Sequence, residues 1–529
     1  MINHMKKKAL SNSPDVILIY MPPFSCETPP LGPAYLSCYL RSKGYKTAII
    51  DLNPSCYKIV PDDLKIYWHG DNGRLCPEAD VHDKMVKALR VPLLDHVNAV
   101  CKSPARIIGF SVIWANIFLS AEMARMIRQR APEKWIIFGG PECNWHLEDK
   151  CIPKCYFGGV NDGRYPVELV DAFVVGEGEE TLLEIVERAK TGGELINIKG
   201  AATRAAGYRD YHPRPLIENI DDIPYPTFEE FDLSHYSPHK LPSIMSRGCI
   251  GRCSFCSDHK MYNRFRHRSA THIFMELEHH INRYGIKEFL FCDLLINGDI
   301  HELERLCDLI IGSGSSIVWY GSARVRKEMT PALMHKMKKA GCATIAYGLE
   351  SFSGPVLKLM NKNTDLEMIS NVLKATHEAG IRTSINLIVG FPGESESDLC
   401  KTIKLLSHHR RNIDAIATLS TCMVGPGTDL QEHAGKYGVD FKRGIHPAFW
   451  RTSDNKNTYL IRVKRLKKIL AVASALKLPV EYTNLTEVER DGRLAMLLSK
   501  LKDIFKVGNP MGLSKSLKIV YEYCLKSFE

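Results

Sequence analysis

Three cysteines, Cys249, Cys253 and Cys256, stand in a C-x3-C-x2-C spacing within the run RGCIGRCSFC at 247–256. Three thiolates so spaced reach three irons of a four-iron, four-sulfur cubane and leave the fourth iron open to another ligand. Ligation lowers the thiol pKa, so the metal-bound form is deprotonated. Gly248 and Gly251 let the backbone fold round such a cluster. The alternatives are a zinc site, which wants four ligands and would recruit His259, or three unrelated buried thiols. A strand pattern just before the loop, the aromatic Phe255 before the last cysteine and a β-α series after it favour iron and sulfur.

These thiols must be placed by folded domains, and the composition supplies core material for them. With 529 residues, 45% of them apolar and 25% charged, the chain reads as two or three packed domains. Its 17 cysteines, with no leader pattern, indicate a reducing, cytoplasmic setting. Cys38, Cys292, Cys307, Cys342 and Cys400 lie in apolar patterns and read as small buried hydrophobes. The net charge of +10 comes from 70 basic and 60 acidic residues scattered along helical segments. Runs such as 6–8 and 462–468 read as solvated faces, so the charge does not indicate nucleic acid. No run approaches the roughly 20 apolar residues of a membrane span. The apolar stretch 16–21 ends at Pro22-Pro23 and reads as a buried strand.

Residues 1–13 form a tail. From 14 to 190 short apolar runs at 16–20, 47–51, 107–110, 135–138 and 172–175 alternate with helical patterns such as 34–43 and 119–130, which predicts a Rossmann-like doubly wound parallel sheet. Residues 191–240, rich in proline and acidic residues, read as a linker. A second β-α series fills 241–441, with strands expected at 243–247, 288–292, 317–321, 343–348, 382–389 and 415–420. About six units predict a partial (β/α)6 barrel with its chemistry at the carboxyl ends of the strands. Residues 442–529 read as a small helical region, with helices at 459–476 and 493–505. The fold class is therefore α/β throughout, with that helical end.

The cysteine loop after the first strand of the second series resembles the radical S-adenosylmethionine (SAM) superfamily over residues 243–440. In that superfamily the open iron chelates SAM, and reductive cleavage yields a 5′-deoxyadenosyl radical. The resemblance implies that Phe255 borders the cofactors, that Asp293 at the end of the second strand meets the SAM amino end, and that Glu350 in Gly348-Leu349-Glu350-Ser351 bonds the ribose, with Ser351 beside it. It also implies that Gly390, in the segment 388–394, lies against adenine, and it offers Arg324 to the SAM carboxylate.

In the first domain, glycine-bearing loops follow the strands: Ser111 in Gly109-Phe110-Ser111, Gly139 and Gly140, and Gly176 and Gly178, opposite Pro30 before a helix. Together with the downstream barrel they resemble the cobalamin-binding domain of cobalamin-dependent radical SAM proteins. The Asp-x-His-x-x-Gly pattern is missing, since Asp80-Val81-His82 is followed by Met85, so no histidine ligand to cobalt is expected. The resemblance implies a 4Fe-4S cluster, SAM and cobalamin as cofactors, and C-methylation of an unactivated carbon of a small-molecule or peptide substrate. It also implies an external electron donor such as flavodoxin or ferredoxin. The alternatives are a radical SAM oxidoreductase or cyclase without methyl transfer, a methylthiotransferase drawing on Cys143, Cys151 and Cys155, and a non-enzymatic sensor.

Overall fold

The computed structural model describes residues 13–69, 79–144, 167–236, 239–258, 262–425, 427–441 and 450–485. Two compact units emerge, one of residues 1–243 and 276–288, the other of residues 244–275 and 289–529.

In the first unit β1 (Val16–Tyr20), α1 (Leu31–Ser42), β2 (Thr47–Asp51), α2 (Ala79–Lys102), β3 (Ile107–Ser111), α3 (Ile117–Arg130), β4 (Trp135–Gly139), β5 (Ala172–Val174) and α4 (Glu179–Thr191) alternate along the chain. The strand order is β2-β1-β3-β4-β5, parallel throughout, and β6 (Ala201–Thr203) is added antiparallel at one edge. Strands buried on both faces need continuous apolar runs, and β1, VILIY, is buried at all five positions. The doubly wound reading of the first domain thus holds, with all five strands where the pattern put them.

Two features departed from the sequence reading. Helix α2 was not anticipated, although Val81, Met85, Leu89, Leu93, Val97 and Val100 make one buried stripe along it. The stretch read as a linker carries β6, held by the buried Asp210, whose carboxylate accepts from the Thr203 backbone N–H at 2.9 Å and the Asn197 N–H at 3.0 Å.

The second series contains β7 (Leu241–Ser243), β8 (Ser246–Arg247), β9 (Arg266–His267), α5 (Ala270–Tyr284), β10 (Glu288–Phe291), α6 (Ile300–Ser313), β11 (Val318–Ala323), α7 (Pro331–Lys339), β12 (Cys342–Glu350), α8 (Gly354–Leu359), α9 (Leu366–Glu378), β13 (Arg382–Val389), α10 (Glu396–His408) and β14 (Ala415–Thr421). After these come a two-stranded antiparallel pair, β15 (Val439–Asp440) and β16 (Arg451–Thr452), then α11 (Tyr459–Ala475) and β17 (Val480–Thr483). The large sheet has the order β17-β14-β13-β12-β11-β10-β7, and β11, β12, β13, β14 and β17 pair in parallel. It is the partial barrel expected, with one strand more than the sequence suggested. Sharp ends make the helices regular. Asp299, Thr330, Asp365 and Ser395 cap α6, α7, α9 and α10 through their side chains, the last in a capping box with Asp398.

The expected strand 243–247 is broken into β7 and β8. Its physical reason is Asp293, whose carboxylate takes the Met245 N–H at 2.8 Å, a donor a continuous strand would spend on its neighbour, and is held there by the Ser246 hydroxyl at 2.6 Å. The region beyond 442 is not purely helical: α11 matches the expected helix 459–476, but β17 follows it and pairs with β14. The expected helix 493–505 lies outside the described residues, as do Cys151, Cys155, His259 and the basic run 6–8. Among the described residues no helix is long and apolar enough to cross a membrane.

Candidate active site at the barrel rim

Cys249, Cys253 and Cys256 lie on the loop that leaves β8, with Cys253 buried and the other two partly exposed. The loop is docked by its backbone. The Ser254 N–H donates to the Met360 carbonyl at 3.0 Å, the Leu430 N–H to the Ser254 carbonyl at 2.9 Å, and the Asn361 amide to the Arg252 carbonyl at 2.7 Å. Gly248, at φ +88°, passes where a Cβ would stand 2.6 Å from the Arg264 carbonyl oxygen. Burial, with Asp258 and the other two thiols adding, pushes the Cys256 thiol up to about 12. Among the described residues no three His, Cys, Asp or Glu side chains converge as ligands of a single ion. A cubane asks for something else, one thiolate on each of three separate irons. Three thiols on a loop that only glycine can close at 248 fit that demand.

Arg324 follows β11 and enters this loop. Its Nη1 donates to Cys253 Sγ at 3.3 Å and its Nη2 to the Lys362 carbonyl at 2.6 Å. The fully buried Asn297 holds the Arg324 backbone from both sides, accepting from its N–H at 3.1 Å and donating to its carbonyl at 2.8 Å. The guanidinium is thus engaged with the cysteine loop.

Glu350 ends β12 at a register shift, with φ at +71°, and its buried carboxylate pairs with Lys362 at 3.2 Å. A non-glycine residue held there is strained, and such strain collects at functional sites. Lys362 is a residue the sequence reading missed. Only its place twelve positions after the carboxylate, beyond a short helix, could have pointed to it.

The other expected contacts are distributed as follows. Asp293 is buried, and desolvation pushes its carboxyl up to about 7 against the hydrogen bonds from Ser246 and Met245. Ser351 is turned into the core, where its Oγ meets the Thr402 hydroxyl at 3.4 Å and accepts the Ser353 N–H at 3.1 Å. Phe255 packs edge-on against Phe391 with ring centres 6.5 Å apart. Gly390, at φ +76°, has its Cβ position taken by Arg462, whose Cγ would lie 2.3 Å away. The close approach that this glycine permits is therefore to a side chain of α11.

Arg462 and Arg465 correct the reading of 462–468 as a solvated face. Both are buried. Arg462 stacks 3.6 Å above the centre of the Trp450 ring and donates to the Trp450 carbonyl at 2.9 Å, and burial lowers its pKa to about 9. Arg465 pairs with Glu394 at 3.2 Å and Glu396 at 2.8 Å. Cys292 and Cys400 are likewise exposed and not core thiols, one at the open end of β10 and the other on the outer face of α10, whereas Cys38, Cys307 and Cys342 are buried as expected.

In the first unit Ser111, Gly139, Gly140, Gly176 and Gly178 all fall at the carboxyl edge of the parallel sheet, where such folds bind ligands, with Ser111 at the β1/β3 switch point. Asn116, missed in the sequence, ties that edge together: fully buried, it donates to the Met21 and Ser111 carbonyls at 3.1 and 3.2 Å. A Cβ at Gly139 would meet Val174 at an ordinary 3.5 Å and one at Gly178 would stand a tight 3.2 Å from a Leu36 methyl, whereas Gly176, at φ +83°, has no atom within 4 Å of a Cβ position. Gly140, at φ +114°, would set a Cβ 2.6 Å from the Val112 carbonyl oxygen. Gly140→Ala should therefore destabilise the first unit by about 1 to 3 kcal/mol; an unchanged urea midpoint would show that this edge tolerates a side chain. His82 lies on α2, buried against Phe118. The described edge residues 21–30, 112–116, 140–144 and 175–178 contain no histidine.

A half-barrel with a three-cysteine loop at its rim defines a class, and residues 243–406 match the radical SAM superfamily. The chain is 28% identical over 345 residues to an uncharacterized methyltransferase of Pyrococcus horikoshii, covering 64% of this chain and 72% of that one. It is 23% identical to the anaerobic magnesium-protoporphyrin IX monomethyl ester cyclase of Synechocystis, over 54% of this chain and 55% of the relative. Among solved structures, the radical SAM methyltransferase TsrM of Kitasatospora setae, with cobalamin and a [4Fe-4S] cluster bound, superposes with a TM-score of 0.59 at 14% identity, over 84% of each chain. That likeness establishes the fold, a sheet domain followed by a radical SAM barrel.

Proposed function

We propose that this radical SAM enzyme holds a 4Fe-4S cluster on Cys249, Cys253 and Cys256, cleaves SAM reductively, and C-methylates an unactivated carbon with cobalamin as methyl carrier. The single observation that carries the reading is the three-cysteine loop at the rim of a barrel matching the radical SAM superfamily. When bound, the cofactors supply the radical and the methyl group. The chain's own residues bind and orient. The loop 249–256 offers the three thiolates, Lys362 holds the Glu350 carboxylate where a ribose hydroxyl would find an acceptor, and Asp293 fixes the bend from which the loop departs. The carboxyl edge of the first sheet, around Ser111, Gly140 and Gly176, receives the corrin. The similarity to methyltransferases supports this part of the reading. The substrate is a small molecule or peptide, the electron comes from an external donor of the flavodoxin or ferredoxin kind, and the setting is cytoplasmic.

Anaerobically reconstituted protein given SAM, a reductant and candidate substrates should release 5′-deoxyadenosine and S-adenosylhomocysteine and yield a product heavier by one methylene unit. Cluster-loaded protein that never releases 5′-deoxyadenosine would overturn the proposal. A product lacking hydrogen, with no methyl gained, would instead favour the oxidoreductase or cyclase reading, which the Synechocystis relative supports.

Cobalamin has its own readout. Protein made with ample cobalamin should retain the corrin, and in the Co(II) state its electron paramagnetic resonance spectrum should lack nitrogen hyperfine splitting, because His82 is buried on α2 and the described edge offers no other imidazole. A nitrogen-split spectrum would refute the ligand claim. Absence of corrin from cluster-loaded protein would refute binding.

A further inference from the structure

Arg324 is the one cation that the described contacts bring to a sulfur of the cysteine loop, and the chain spends several groups on keeping it there. Its backbone is clamped on both sides by the fully buried Asn297. One arm of the guanidinium is fixed on the Lys362 carbonyl at 2.6 Å, which leaves the other on Cys253 Sγ at 3.3 Å. The loop makes room for it: a Cβ at Gly251 would stand 2.0 Å from Nη1, and the Gly251 N–H itself donates to Cys249 Sγ at 3.3 Å. Planar, permanently charged, held by both arms and anchored at its backbone, this side chain has no freedom to serve as a loose surface arginine.

We propose that Arg324 is a positioning residue that sets the reduction potential of the cluster through Cys253. This rests on the function proposed above, since it requires a cluster on these thiolates. An N–H donor and positive charge at a ligating sulfur draw electron density from it and favour the more negative, one-electron-reduced form, so they raise the potential. The electron is supplied by the external reductant and no bond is made or broken at Arg324. Glycine at 251 is part of the same device, because a methyl group there displaces Nη1 from the sulfur while leaving Arg324 in the chain.

The experiment is an anaerobic redox titration of the reconstituted full-length protein, monitored by visible absorbance and electron paramagnetic resonance, with iron and sulfide measured on the same samples. Arg324→Gln should bind iron and sulfide as the parent does, yet its reduction equilibrium should move about tenfold toward the oxidised form, a drop of about 59 mV for one electron. Arg324→Lys, which keeps the charge but loses the two-armed geometry, should recover part of the shift. Gly251→Ala should move the potential in the same direction as Arg324→Gln, and it carries the test if the arginine variant does not fold. A potential unchanged in a fully loaded Arg324→Gln or Gly251→Ala protein overturns the proposal. Failure of the parent protein itself to assemble a cluster overturns the functional reading beneath it, a separate outcome read from iron content alone.

Discussion

Alanine at Cys249, Cys253 or Cys256 is expected to strip the protein of most of its iron and of the broad charge-transfer absorbance of a cubane. Each thiolate answers one iron, and the fourth iron is needed for SAM, so the site holds no ligand in reserve. Because the loop is docked by backbone hydrogen bonds to Met360 and Leu430, the variants should fold as the parent does. Cys400→Ala, at an exposed thiol on α10, is the control and should keep its iron. Full iron content and undiminished SAM cleavage in all three variants would dismiss this loop as the cluster site.

Lys362→Met is expected to have the second large effect, on stability. Glu350 is 8% exposed and Lys362 5%, so removing the ammonium strands a carboxylate in a desolvated place. Breaking one side of such a pair costs about 3 to 5 kcal/mol. Removing both charges, in Glu350→Gln with Lys362→Met, should recover much of that loss, since an amide does not carry the desolvation penalty of an unpaired carboxylate. The double variant should fold and load iron, yet bind SAM less tightly, because Glu350 is the proposed acceptor for the ribose. Urea unfolding and SAM titration separate the two consequences. If the single variant unfolds at the parent's midpoint, the pair contributes nothing to the fold, and if the double variant binds SAM as the parent does, Glu350 has no part in the nucleoside site.

Much of this architecture was legible in the sequence, for reasons that can be named. Strands buried on both faces read as continuous apolar runs, and VILIY at 16–20 admits little else. The cysteine spacing suggests a cluster loop by its chemistry. What remained hidden depends on contacts between distant residues. The break between β7 and β8 comes from Asp293, more than forty positions downstream in the chain. A Cβ at Gly390 would run into Arg462, whose own run looked solvated because charge in sequence carries no record of burial against Trp450. Lys362 and Asn297 gave no signal, for a lone lysine or asparagine acquires its meaning from the carboxylate or backbone it meets.

The last barrel strand, β17, is made after α11 and lies beside β14, which was completed long before it. On the ribosome this imposes a waiting period. Until residues 480–483 emerge, β14 is an open edge of a sheet, a template for pairing with other chains. The nascent enzyme therefore passes through a stage in which its catalytic barrel is nearly built yet adhesive, and truncation anywhere between 421 and 480 would make that stage permanent. Such fragments should aggregate rather than serve as minimal catalytic domains, although they would retain every cysteine of the cluster loop.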